Sequence, residues 1–162
     1  MHCSSFSKSL APGYRVGWVA AGRFATAVQR LKLMTTLSAA TPSQQALSEY
    51  LAQGGHDRHQ RQLRRSLAQQ QANALAAVAA HFPPGRRVSR PEGGYFLWLE
   101  LQPPVNALDL HRLALQQGIS LAPGQIFSAD RRFAHRVRIN YGHPAQQRLQ
   151  AALATDLAKS TV

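Results

Sequence analysis

From residue 56 to residue 82 large apolar side chains return at helical spacing, at Leu63, Leu67, Leu75, Val78 and Phe82, while Arg58, Arg61, Arg64 and Arg65 fall off that stripe. This period predicts one helix with a single buried face, ended by Pro83-Pro84-Gly85. At about 1.5 Å of rise per residue it would be roughly 40 Å long, more than a small domain needs, so it is expected to join two domains. Upstream, Phe24, Ala27, Val28, Leu31 and Met34 recur at steps of three and four, which predicts a helix over residues 23–37 that buries one face. A second helix is expected over residues 41–53, with Thr41 as N-cap, Pro42 in the first turn and Gly54-Gly55 as the stop.

Shorter runs flank these helices. Residues 3–7 and 15–20 read as two strands around a turn at residues 11–14, with Gly17 allowing close backbone approach. Beyond the long helix, residues 87–90 are a strand candidate and Pro91-Glu92-Gly93-Gly94 a loop. Residues 95–101 alternate so that Tyr95, Leu97, Leu99 and Leu101 share a face. Asn106 opens a helix to Gln117 with Asp109 as an approximate capping box, and Gly118 closes it. Residues 119–122 and 136–140 are further strands, and Leu149, Leu153 and Leu157 behind Pro144 mark a last helix. The expected class is α/β.

Composition narrows the setting. An apolar fraction of 44% is that of a globular chain, no apolar run reaches the length of a membrane span, and a single cysteine, Cys3, cannot form an internal disulfide. The cytoplasm is the expected compartment. A net charge of +12 raises the question of nucleic acid, but the densest basic cluster is the solvated face of the long helix. No aromatic-interleaved basic strand accompanies it, so direct nucleic-acid binding by this segment is not expected. The seven histidines have no ligand spacing, and no metal site is expected.

The chemistry concentrates near the start, in Ser4-Ser5-Phe6-Ser7-Lys8-Ser9-Leu10-Ala11-Pro12-Gly13-Tyr14-Arg15-Val16-Gly17-Trp18. Lys8 is one of three lysines in a chain with sixteen arginines, and it stands between a β-prone run and a Pro-Gly turn. An amine so placed can form a Schiff base with a carbonyl, and Ser5, Ser7 and Arg15 are suited to a phosphate, the hydroxyls as donors and the guanidinium as a two-pronged clamp. A Ser-Lys pair beside a turn is also ordinary solvated loop chemistry. The whole string, Ser-x-Ser-Lys-x-x-x-Pro-Gly-x-Arg-x-Gly, resembles the cofactor-lysine segment of the fold-type I pyridoxal-phosphate enzymes, the aspartate aminotransferase superfamily. Its wording is similar to the aminotransferase-like domain of MocR/GntR-type transcriptional regulators and to aminoadipate and kynurenine aminotransferases.

That resemblance implies a role for each residue. Lys8 would hold pyridoxal 5'-phosphate covalently and move the substrate's α-proton; Ser5 and Arg15 would bind the phosphate, with Ser7 a helper. Arg138 in Val137-Arg138-Ile139-Asn140 would receive the α-carboxylate of an amino-acid or 2-oxo-acid substrate, with Arg136 as the fallback. Read without the resemblance, Arg138 is an edge-strand arginine facing water. Pro91–Gly94 and Ala122-Pro123-Gly124-Gln125-Ile126-Phe127 resemble segments that shape the substrate side of the cleft. Residues 1–55 would be a remnant of the large cofactor domain, and residues 56–162 the connecting helix and small C-terminal domain. The chain then looks like the C-terminal part of the fold, without the aspartate and stacking ring that the family supplies earlier, and inactive alone. The parent would be a homodimer, either a free aminotransferase or an effector-sensing domain.

Overall fold

The computed structural model describes residues 1–82 and 84–142, which form two compact units, residues 1–63 and residues 64 onward. The helix expected behind Pro144 lies outside the described residues. The first unit opens with an antiparallel hairpin of β1 (His2–Ser5) and β2 (Gly17–Ala20), which pairs His2 with Ala20 and Ser5 with Gly17. Every residue of both strands is exposed, and the two form a sheet by themselves. Helices α1 (Ala25–Thr36) and α2 (Thr41–Ala52) follow.

Two details of these helices correct the sequence-based expectation. The apolar stripe of α1 is not buried: no residue of the helix is, and Leu31 is 63% and Met34 86% exposed, because a regular stripe gains burial only where another element covers it. Thr41 is the first residue of α2 rather than its cap; Ala40 holds that position and offers no side-chain hydrogen bond, so Pro42 rather than a hydroxyl marks the start. Gly54, at a φ of +73°, makes the left-handed exit for which a glycine is suited.

Helix α3 (His56–His81) runs through the boundary between the units and keeps Arg58, Arg61, Arg64 and Arg65 exposed, as their spacing predicts. The second unit is a four-stranded antiparallel sheet of β3 (Arg87–Val88), β4 (Phe96–Glu100), β5 (Ala122–Pro123) and β6 (Arg136–Asn140), in the order β3-β4-β6-β5. The short strand β5 forms at residues 122–123 instead of 119–122, and Ile119 and Leu121 are spent on the core. Helix α4 (Ala107–Gln116) is capped as expected, Asn106 accepting from the Leu108 amide at 2.9 Å. Asp109 does not complete a capping box; it pairs with Arg112 at 2.9 Å.

The core of this unit lies on one face of the sheet. Leu97, Leu99, Val137 and Ile139 project there and meet Ala74 and Val78 of α3 and Ala107, Leu110 and Ala114 of α4. Burial of each large side chain contributes about 1.5–3 kcal/mol. Tyr141 closes one end, 1% exposed, its hydroxyl donating to the Gly94 carbonyl at 2.9 Å. At the other, Gly124 lies so close to the Phe133 and Arg136 carbonyls that a Cβ there would stand 2.8 Å from the Arg136 oxygen and nearer still to that of Phe133.

Both contacts are testable. Burial holds the Tyr141 phenol above its ordinary pKa of 10.0, as it does that of Tyr95, so the folded chain keeps a proton that the unfolded chain releases. The resulting stability is present below about pH 10 and is lost as pH rises beyond it. Tyr141→Phe should cost about 1 kcal/mol at neutral pH, because Gly94 loses its donor, and should flatten the alkaline fall in urea midpoint. An equally steep fall in the variant would show that Tyr141 does not drive it. Gly124→Ala should lower stability by about 1–3 kcal/mol through overpacking against fixed backbone, read as a drop in Tm; an unchanged Tm would contradict the close approach.

Candidate functional site

Lys8 stands in the middle of a closed turn. The Phe6 carbonyl accepts from the Leu10 amide at 2.8 Å and from the Ala11 amide at 3.1 Å, while the Phe6 amide donates to the Val16 carbonyl at 3.0 Å. The return through Pro12–Tyr14 is one 3₁₀ turn, and Arg15 behind it is left-handed at φ 54° and ψ 32°. A non-glycine residue held there costs on the order of 1–3 kcal/mol unless its surroundings enforce it. From this position the Arg15 guanidinium donates to the Ser7 hydroxyl at 3.3 Å. Ser5, at the end of β1, faces Gly17, where a Cβ would come 2.8 Å from the Ser4 carbonyl oxygen and 3.2 Å from the Ser5 Cβ. The glycine therefore lets the strands close beside the lysine turn.

The start of α3 fastens this turn. Gln60 donates to the Ser9 carbonyl at 2.5 Å, and the Phe6 ring meets that of His56 edge-on at 6.3 Å. Sequence reading did not find Gln60 or His56 as supports, because no local signal links residues some fifty positions apart. The structure thus brings Arg15 and Ser7 together, with Lys8 on the turn that Ser7 begins. Residues 1–48 carry Lys8, Arg15, Arg23, Arg30 and Lys32 and contain no aspartate or glutamate. A hydroxyl, a guanidinium and an amine in an acid-free stretch fit a phosphate ester with a reactive carbonyl. They do not include a carboxylate for a pyridine nitrogen.

Arg138 belongs to the second unit. Strand β6 lies between β4 and β5, so Arg138 is not an edge-strand residue; it pairs with Trp98 on one side and Ala122 on the other, and is half-buried. Because Val137 and Ile139 take the core face, the alternation turns Arg136 and Arg138 to the opposite face, together with Phe96, Trp98 and Glu100 of β4. There the two arginines differ. Arg136 is paired with Glu100 at 3.3 Å, whereas Arg138 has no carboxylate within ion-pair distance among the described residues. Its guanidinium lies over the Phe96 ring at 4.2 Å and over the Phe127 ring at 4.4 Å. Trp98 in turn meets Phe127 at 5.6 Å and Phe133 at 5.8 Å, both edge-on. The alternation Phe96-Leu97-Trp98-Leu99 was a signal for these rings, since aromatics interleaved with core leucines must face the other way.

Other candidate features are sparse. Among the described residues no cluster of three or more histidines, cysteines or acids is placed to hold a metal, and no helix is long and apolar enough to cross a membrane. The loop at Glu92–Gly94 helps line a shallow pocket with Arg64, Leu67, Gln71 and Tyr141.

The chain is 46% identical over 140 residues to the uncharacterized HTH-type transcriptional regulator YdcR of Escherichia coli (strain K12), covering 86% of this chain and 30% of that protein. It is 31% identical over 150 residues to the uncharacterized aminotransferase SSO0104 of Saccharolobus solfataricus, covering 92% of this chain and 37% of that protein. Its fold superposes with a TM-score of 0.87 on LysN, the α-aminoadipate aminotransferase of Thermus thermophilus solved with N-(5'-phosphopyridoxyl)-L-leucine, at 27% identity over 98% of this chain and 40% of that one. The chain thus spans 30–40% of the length of these three proteins. Residues 1–154 match the family described as aminotransferase class I and II, and the chain belongs to that family.

Proposed function

We propose that this chain supplies the cofactor lysine and the substrate-carboxylate arginine of a pyridoxal-phosphate-dependent aminotransferase domain. The observation that carries the reading is the turn at Ser5–Arg15, where a guanidinium and a hydroxyl gather beside Lys8 in a stretch without acids. Residues 1–55 then belong to the large cofactor domain, and residues 56–162 to the connecting helix and small C-terminal domain. The order from Lys8 through Gly93-Gly94-Tyr95-Phe96 to Arg138 supports this assignment to the C-terminal part of the fold.

Ser5, Ser7 and Arg15 bind the phosphate, and Lys8 attaches the cofactor through its amine and carries a proton to and from the α-carbon of the substrate. The bound pyridine ring supplies an electron sink for that carbon. Arg138 takes the α-carboxylate of an amino acid or 2-oxo acid through paired N–H groups. Residues 1–48 offer no carboxylate for a pyridine nitrogen beside the lysine turn, so the chain alone should capture the cofactor loosely and turn over nothing. In the parent protein a cytoplasmic homodimer is the expected assembly.

A second reading is favoured by the 46% identity to an HTH-type regulator: the same site senses an effector without turnover. The protein containing this chain, assayed with a panel of amino acids and 2-oxoglutarate, separates the two. Product formation supports the enzyme, and cofactor capture without product supports the sensor.

The lysine assignment is tested on the chain itself. After incubation with pyridoxal 5'-phosphate and borohydride reduction, peptide mass mapping should find the label on Lys8 at about ten times the level of Lys32 or Lys159, a preference of about 1.4 kcal/mol. Arg15→Ala should reduce it, and Lys8→Ala should leave only the background of the other two. Equal labelling of all three lysines would overturn the site.

A further inference from the structure

We propose that Phe96 and Phe127 are positioning residues that clamp the Arg138 guanidinium and hold its N–H edge ready for a carboxylate. The proposal rests on the reading of Arg138 as the carboxylate receptor and adds how that receptor is built. Three observations carry it. The guanidinium carbon lies 4.2 Å from one ring centre and 4.4 Å from the other, both well inside the reach of a cation–π contact. The neighbouring Arg136 is neutralised by Glu100 at 3.3 Å, and no described carboxylate does the same for Arg138. Phe127 is itself braced by Trp98 at 5.6 Å, and Trp98 by Phe133 at 5.8 Å, so the ring on the loop side is not a loose flap.

The chemistry follows from the shape of the cation. A ring attracts a guanidinium through the face of the plane, where delocalised charge meets the π cloud, and makes no claim on N–H groups that lie in the plane. Two rings therefore hold Arg138 without occupying its hydrogen-bond donors, which an acidic partner would consume. They also fix a side chain that otherwise carries large rotamer freedom, so less ordering remains to be done when a planar carboxylate arrives. An ammonium has no such plane. A lysine at this position would keep the charge and lose both the clamp and the fork, which makes the site selective for arginine.

The two rings come from different parts of the unit. Phe96 belongs to β4, where it faces Asn140 of β6, and Phe127 ends the 3₁₀ turn Gly124–Phe127 that follows β5. Closing the clamp thus requires that turn to sit down on the sheet, and the close packing of Gly124 against the Phe133 and Arg136 carbonyls is what permits it.

The test uses the 162-residue chain, 2-oxoglutarate as the probe and the Arg138 Nε–H resonance, assigned by its loss in Arg138→Lys. Two flanking rings should shift this proton upfield by their ring currents, and it should move further on titration. Phe127→Leu, at a residue that is 40% exposed and so dispensable for folding, should remove part of the upfield shift and weaken 2-oxoglutarate about tenfold, within the range of a partly desolvated cation–π contact. Phe127→Tyr should keep both. Phe96→Leu repeats the experiment from the other ring, and an unchanged backbone amide spectrum shows that the sheet is intact in each case. If Phe127→Leu binds as tightly as the parent chain while Arg138→Ala does not bind, the clamp is wrong and the receptor reading stands. If the parent chain does not bind 2-oxoglutarate, or Arg138→Ala binds it unchanged, the receptor reading fails, and the proposal with it. The resonance judges the clamp by itself, because an Nε–H that does not respond to Phe127→Leu is not held by that ring.

Discussion

The pairing of β4 with β6 fixes which side of the sheet every residue of the second unit occupies, and the candidate chemistry there depends on it. A strand repeats every two residues, so a slip of β6 by one position would send Val137 and Ile139 into water and carry Arg138 into the core. The two inward side chains of β6, both nearly or fully buried, oppose that slip with several kilocalories per mole in total. The arginine is therefore held in place largely by residues that it does not touch. This division of labour lets the outer face carry costly features, a half-buried cation among rings, without weakening the frame beneath.

Much of that frame was legible in the sequence because it is written in local periods. The stripe from Leu63 to Phe82 gave α3 within a residue of its observed end, and the alternation from Leu97 to Leu99 gave the core face of β4. The lysine turn was legible for another reason, since a string of serines, lysine, Pro-Gly and arginine carries its own resemblance. Features that depend on distant partners were not. The stripe of α1 is as regular as that of α3, yet only the fold decides whether something covers it. The rings on Arg138 come from β4 and from the loop after β5, and nothing in the wording of either segment names a cation as the target. Gln60 reaches the lysine turn across a long stretch of chain in the same unannounced way.

The hairpin that carries Lys8 depends on a different economy. Its strands bury nothing, so its shape comes from backbone hydrogen bonds around Phe6, the 3₁₀ return and the grip of α3 through Gln60. Such an element is held by direction more than by burial. Its geometry is specified closely, but little hydrophobic free energy opposes its opening.

On the proposed reading, the absence of acids from residues 1–48 bears on how the two anion sites feel their solvent. Around the lysine turn the attraction for a phosphate is the sum of exposed cations, and at an ionic strength of about 0.15 M such fields fade over roughly 8 Å. Arg138 is half-buried and covered by rings, so mobile ions reach it less freely. Added salt would accordingly loosen the grip on a phosphorylated ligand well before it loosened the grip on a carboxylate. On that reading, ionic strength becomes a handle that separates cofactor retention from substrate recognition within a single chain.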